Sequence, residues 1–185
     1  MACVTYSGEA MSERAEAHPA VGWRGPSPPL NLHTAGMEIE SATEGDLPAL
    51  LSLLRAYCDF YGASPSDDGL ATMARALIAA PDADGMLLVA RGADGVAVGF
   101  ATVGWKWSSL RAARIAVMED LFVASEARGQ GAADALIEAC ADRARTHGAP
   151  VLTWETATDN YRAQTVYERV GATGSVWMEY ELELA

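Results

Sequence analysis

From residue 37 onward the chain carries two hydrophobic rhythms separated by regular turn signals, and those rhythms predict its elements. MEIESA at 37–42 alternates with a period of two, as a half-buried strand does. Thr43 followed by Asp46 has the spacing of a helix entrance, and DLPALLSLLRAYCDFYG carries apolar residues at helical intervals. ATMARALIAAP predicts a second helix, ended by Pro81. GMLLVARG and VAVGFATVGWKW, joined by Ala93, Asp94 and Gly95, predict a hairpin. ARIAVMEDLFVA at 113–124 is long and apolar enough to lie within the sheet. A helix entered through Arg128, Gly129, Gln130, Gly131, Ala132 and Ala133 is expected to run to about Thr146, stopping at His147 and Gly148. VLTWETA then predicts a strand, NYRAQTVYERVGA a helix closed by Gly171, and SVWMEYELEL a terminal strand. The resulting order, β-α-α-β-β-β-α-β-α-β, is that of a mixed α/β (α+β) sheet flanked by helices.

Residues 1–36 break this rhythm. GWRGPSPPLNLHTAG is rich in Pro and Gly and shows neither period, so 1–36 is expected to be a disordered or loosely packed extension. Met37 opens a strand as a native N-terminus would, which leaves open whether 1–36 belongs to the native protein. Residues 37–185 are expected to form a single domain, and a chain that is 50% hydrophobic can supply its core.

A formal charge of −12 argues against nucleic acid as partner. It suits a cationic small molecule, although an acidic surface more often serves only solubility. Cys3, Cys58 and Cys140 have no CxxC spacing, and His18, His33 and His147 are scattered, so neither a metal site nor a disulfide framework is expected. No apolar run reaches the length of a membrane span and no signal peptide is evident. A cytoplasmic protein that does not engage membranes is the expectation.

Candidate chemistry centres on EARGQGAADALIEA, from Glu126 to Ala139. A glycine inside a helix costs roughly 1 kcal/mol relative to alanine, so glycines at a helix entrance serve backbone geometry or the close approach of another group. The free N–H groups of a helix start can hold an anion, and glycine lets a phosphate come near them. A plain flexible loop is the alternative. A P-loop is ruled out, because its lysine is absent and the chain's only lysine is Lys106.

Arg128, Gly131 and Ala133 match the Q/R-x-x-G-x-G/A signature of the GNAT superfamily of acyl-coenzyme A-dependent N-acyltransferases. Asn160, Ala163, Tyr167 and Gly171 match its second pattern, N-x-x-A-x-x-x-Y-x-x-x-G, at the expected distance. From Met37 to the C-terminus the chain resembles that superfamily, and MEDLFV at 118–123 is most similar to the spermidine/spermine and related small-amine acetyltransferases. The resemblance implies a mostly antiparallel sheet splayed at its centre, acetyl-CoA as co-substrate and no metal.

It also implies roles for particular residues. The backbone of Leu121, Phe122 and Val123 would bind the pantetheine arm, and the loop amides of Gly129, Gln130, Gly131, Ala132 and Ala133 the pyrophosphate, with charge from Arg128. Asn160 would lie near the pantetheine amides and Tyr167 near the sulfur, where its phenol would protonate the leaving thiolate. Glu119 would be the base and would hold the amine; Asp120, its neighbour on the strand, faces the opposite side unless a bulge intervenes. Tyr57 and Asp59 join Glu119 as candidate acceptor-binding residues, with Tyr61, Asp67, Asp68, Trp105 and Trp107 as further possibilities and core or solvated-turn roles as the alternative. The expected activity is acetyl transfer to the amine of a small cationic acceptor by a homodimer. A peptide or protein N-acetyltransferase and a non-catalytic acyl-CoA-binding protein are the alternatives.

Overall fold

The structure, a computed structural model, describes residues 36–184; residues 1–35 of the expected extension, with Cys3, His18 and His33, lie outside the described residues. The elements are β1 (Glu38–Ser41), a 3-10 turn (Glu44–Asp46), α1 (Leu47–Tyr61), α2 (Asp67–Ala79), β2 (Gly85–Arg91), β3 (Ala97–Ser108) and β4 (Ala113–Val123). A second 3-10 turn (Ser125–Ala127), α3 (Ala132–Thr146), β5 (Leu152–Thr153) and α4 (Tyr161–Arg169) follow. The five strands form one sheet in chain order, β1 to β4 antiparallel and β5 parallel to β4. This is the mixed α+β class that the element order predicts.

The sheet is covered on both faces. Leu87, Val89 and Phe100 pack with Leu50, Leu54 and Ala74 of α1 and α2. Leu88, Ala101, Val103 and Met118 pack with Leu136 and Cys140 of α3 on the other side, where α4 contributes half-buried Val166 and Tyr167. The run MLLVA in β2 is buried at every position because alternate side chains enter different cores. Burial raises the thiol of Cys140 to about 12, so it packs as an apolar group. No helix among the described residues is long and apolar enough to cross a membrane.

The entrance to α1 is a capping box. Asp46 accepts from both the N–H and the hydroxyl of Thr43, each at 2.8 Å. It also pairs with Arg91 of β2, which in turn meets Glu40 of β1. Burial works to raise the Asp46 carboxyl, but the Thr43 and Arg91 bonds outweigh it and hold the group below its ordinary value. Asp46→Ala is therefore expected to lower stability by about 1–2 kcal/mol at neutral pH. Because the folded pKa is depressed, that contribution is present above the unfolded carboxylate pKa and lost as pH falls through the folded one. Urea unfolding of both proteins across the range from neutral to acid checks this: the gap in midpoint should close toward acid.

Two strand expectations are corrected. VLTWETA pairs only at Leu152 and Thr153, opposite Ala116 and Val117, and then leaves the sheet. SVWMEYELEL forms no strand, and residues 173–184 are exposed throughout. Its residues alternate as a strand's do, yet it makes no ladder with any strand among the described residues.

Candidate active site

The site opens where β4 and β5 part. Beyond Val117 the β5 side of β4 has no strand partner among the described residues, so its backbone groups from Met118 to Val123 face a cleft rather than a neighbouring strand. That cleft, of about 250 Å³, is lined by Leu121, Phe122, Val123, Arg128, Ala133 and Asn160 among others. A smaller polar cavity of about 30 Å³ adjoins it, lined by Glu119, Glu155, Thr156 and Trp154. Tyr57, Tyr61, Leu121 and Tyr167 line both.

A bulge decides which carboxylate enters. Thr102 of β3 faces Asp120 while Val103 faces Met118, so Glu119 is an extra residue in β4. The phase shift places Asp120 on the α1 face, where the Thr102 hydroxyl donates to it at 2.5 Å. Glu119 instead lines the polar cavity. Partial burial raises its pKa, Asp120 and Glu155 add to the rise, and Lys106 opposes it. Burial also raises Tyr57, and the adjacent Asp120 carboxylate raises it further. Tyr167 is raised by burial and then by Tyr61, against a hydrogen bond with Thr156. Its ring meets Trp154 edge-on, with centroids 5.3 Å apart.

The glycine loop has the geometry its composition suggests. Gly129 and Gly131 adopt φ of 78° and 87°, and Gly131 caps α3. The first intrahelical bond there runs from the Ala135 N–H to the Gly131 carbonyl at 3.0 Å, so the preceding amides have no helical partner. Arg128 is anchored, its Nε donating to the Val123 carbonyl at 3.0 Å, and Gln130 donates to the Glu126 carbonyl at 3.1 Å. Ala132 is buried and contributes backbone only, whereas Ala133 reaches the cleft.

Asn160 precedes α4 and caps it, accepting from the Ala163 N–H at 3.2 Å while its amide donates to Thr156. A paired link that the sequence reading missed fixes α4. Arg169 donates to both carboxylate oxygens of buried Asp134, in the first turn of α3, at 2.7 Å each. It ties the helix bearing Tyr167 to the helix whose N-terminus faces the cleft.

The other acceptor candidates do not converge. Asp59 is exposed on α1 and lines neither cavity. Two residues along a helix turn its side chain about 200° from that of Tyr57. Asp67 pairs with Arg55, Asp68 lies in the first turn of α2, Trp105 donates to the Pro81 carbonyl and stacks on His147, and Trp107 is exposed. Glu155 and Thr156 were not singled out from the sequence. Their only signal is that they follow a strand parallel to β4, at the point where the two separate.

A family model described as "Acetyltransferase (GNAT) family" matches residues 50–172. The chain is 31% identical over 135 residues, 73% of its length and 89% of the relative's, to the uncharacterized N-acetyltransferase YhfO of Bacillus subtilis (strain 168). It is 35% identical over 127 residues, 68% of its length and 60% of the relative's, to the streptothricin acetyltransferase of Streptomyces lavendulae. A solved structure of a probable acetyltransferase superposes with a TM-score of 0.70 at 27% identity, covering 80% of this chain and 98% of that one. The chain belongs to the GNAT family and is an N-acetyltransferase that uses acetyl-CoA as co-substrate.

Proposed function

We propose that residues 37–185 form one acetyltransferase domain that moves the acetyl group of acetyl-CoA directly onto the amine of a small, multiply cationic acceptor. The observation that carries this reading is the polar cavity lined by Glu119, Glu155, Tyr57, Tyr61 and Tyr167, whose two carboxylates and three aromatic rings suit a cationic acceptor. The similarity to a streptothricin acetyltransferase favours a streptothricin-like or aminoglycoside acceptor over a polyamine, for which MEDLFV alone speaks.

The unpaired edge at Leu121, Phe122 and Val123 suits the amide-rich pantetheine arm, and the open amides after Gly131 suit a pyrophosphate. Acetyl-CoA supplies an activated thioester. Glu119 takes a proton from the acceptor ammonium, so that the neutral amine attacks, and its raised pKa makes it a better base than an exposed carboxylate. The carbon–nitrogen bond forms as the carbon–sulfur bond breaks. Tyr167, kept protonated at neutral pH, donates a hydrogen bond to the sulfur as charge gathers there. A phenol raised above its ordinary range does not part fully with its proton to the more acidic thiol. This bond therefore stabilises the departing thiolate until a proton from the amine or solvent completes the exchange. Among the described residues no cysteine or lysine lines either cavity, which fits direct attack in a ternary complex rather than an acetylated enzyme. The buried free thiols of Cys58 and Cys140 suit a reducing cytoplasmic setting.

The acceptor class is tested by kcat/KM across streptothricin-type, aminoglycoside, polyamine and basic-peptide amines; a clear preference for a basic peptide would sink the small-acceptor reading. Glu119 carries its own prediction. Glu119→Gln should lower kcat/KM and remove the acid limb of its pH profile. The same change should raise Tm at neutral pH, because a carboxyl whose folded pKa is raised costs stability once ionised. Below the unfolded pKa both proteins are uncharged at this position and the Tm gain should vanish. Thermal melts at neutral and at acid pH beside the rate profile check both signs.

A further inference from the structure

β3 carries a gap on the face that turns toward α1 and α2. Along that face Phe100 enters the core with Leu50 and Leu54, Thr102 donates to the Asp120 carboxylate, and Lys106 follows two positions beyond the gap. Between them stands Gly104, half-buried and without a side chain. Two other glycines of β2 and β3 are required by close backbone approach. A Cβ on Gly85 would come within 2.3 Å of the Val103 carbonyl oxygen, and one on Gly99 within 2.6 Å of that of Phe122. Gly104 is different. Among the described residues its Cβ would meet nothing nearer than a Glu119 carboxylate oxygen at 3.7 Å and the Asp84 carbonyl oxygen at 4.0 Å, both ordinary contacts. Its φ also lies outside the left-handed region, so alanine fits there without strain. A glycine inside a strand gives up stability and packing, and where no protein contact demands it the remaining reason is the close approach of another group.

We infer that Gly104 is the floor of the acceptor site: its missing side chain leaves the space beside the Glu119 carboxylate in which the carbon skeleton behind the amine lies, and so limits how broad that skeleton can be. The polar cavity lined by Glu119 holds about 30 Å³, room for an ammonium group and little more. The rest of an acceptor must leave it past the neighbours of the carboxylate. Toward β5 and α4 those places are filled by Trp154 and Tyr167, and the larger cleft beyond is the one that suits the pantetheine arm. Toward β3 the register sets Gly104 opposite Val117, two residues before Glu119, and there the way is open. A branched side chain at 104 would stand in that space, with its methyls against the carboxylate. This inference rests on the proposed role of Glu119 at the acceptor amine.

The test compares Gly104→Ala and Gly104→Val with the unaltered full chain. The acceptor is whichever amine or basic peptide the unaltered chain acetylates fastest, so the small-acceptor reading can fail there while Gly104 is still judged. Gly104→Ala should raise Tm by roughly 1–4 °C, as replacing a glycine at a strain-free position does. It should also raise the acceptor KM several-fold with little change in kcat, because its Cβ leaves the carboxylate in place. Gly104→Val should lower kcat/KM for the acceptor by about tenfold or more. Affinity for acetyl-CoA, by calorimetry, should hold in both variants, since Gly104 does not line the larger cleft. A Tm lowered by Gly104→Ala would make the glycine structural and overturn this inference alone. So would an acceptor kcat/KM unchanged by both variants, a fall in kcat at constant KM in the alanine variant, or an equal loss of acetyl-CoA affinity. An unaltered chain that acetylates no amine would overturn both this inference and the reading beneath it.

Discussion

Tyr167→Phe is expected to lower kcat by roughly 10²–10³-fold, the range that one hydrogen-bond donor to a developing negative charge contributes. The substitution keeps the ring that meets Trp154 edge-on and removes only the hydroxyl, so packing and Tm should change little. Acetyl-CoA affinity should also be nearly unchanged, because the hydroxyl acts on a charge that is absent from the bound thioester and grows only as the bond to sulfur breaks. A fall in kcat and kcat/KM together, with constant affinity by calorimetry, is the expected signature. An equal loss of affinity would instead make Tyr167 a binding residue of the cleft it lines.

Gly131→Asp is expected to weaken acetyl-CoA binding by about a hundredfold or more. Gly131 holds φ at 87° as the N-cap of α3, and the amides that follow it, before Ala135, have no helical partner. A carboxylate there meets the diphosphate at close range, and two like charges about 4 Å apart near a protein surface repel by up to about 4 kcal/mol before salt screening. Backbone strain is separated from charge by Gly131→Asn, which has nearly the same shape as the aspartate and tolerates left-handed backbone almost as well as any non-glycine residue. The asparagine variant should retain most of the affinity and the aspartate variant should lose it, the gap narrowing at high salt. Equal losses in both would assign the glycine to backbone geometry alone.

What could be read without coordinates follows how local each determinant is. The apolar spacing of LPALLSLLRAYCDFY and the Thr43–Asp46 pair specify α1 and its cap within one stretch of chain, and both are present. The glycine loop was legible for the same reason, since left-handed φ at Gly129 and Gly131 is a property of those residues. The placement of Asp59 was also open to reading, because helical phase alone turns it away from Tyr57. Other features depend on distant partners. The choice between Glu119 and Asp120 is made by a register shift against Thr102 and Val103, and no property of MEDLFV reports it. Glu155 and Thr156 reach the cavity only because β5 leaves β4 after two residues. The Asp134–Arg169 pair spans 35 residues between two helices whose separate patterns say nothing of their contact. SVWMEYELEL has the alternation of a strand, but alternation alone does not form a ladder, and the segment pairs with no strand among the described residues.

The central claim is that this cleft transfers acetyl from acetyl-CoA to a cationic amine. Its most direct test follows thiol release and acetylated product together, by colorimetry and mass spectrometry, with acetyl-CoA and a streptothricin-type or aminoglycoside acceptor. One thiol released per acetyl-amine formed, dependent on the acceptor, is the predicted result. Binding of acetyl-CoA, seen as a raised Tm, with no amine-dependent thiol release from any acceptor class would contradict it.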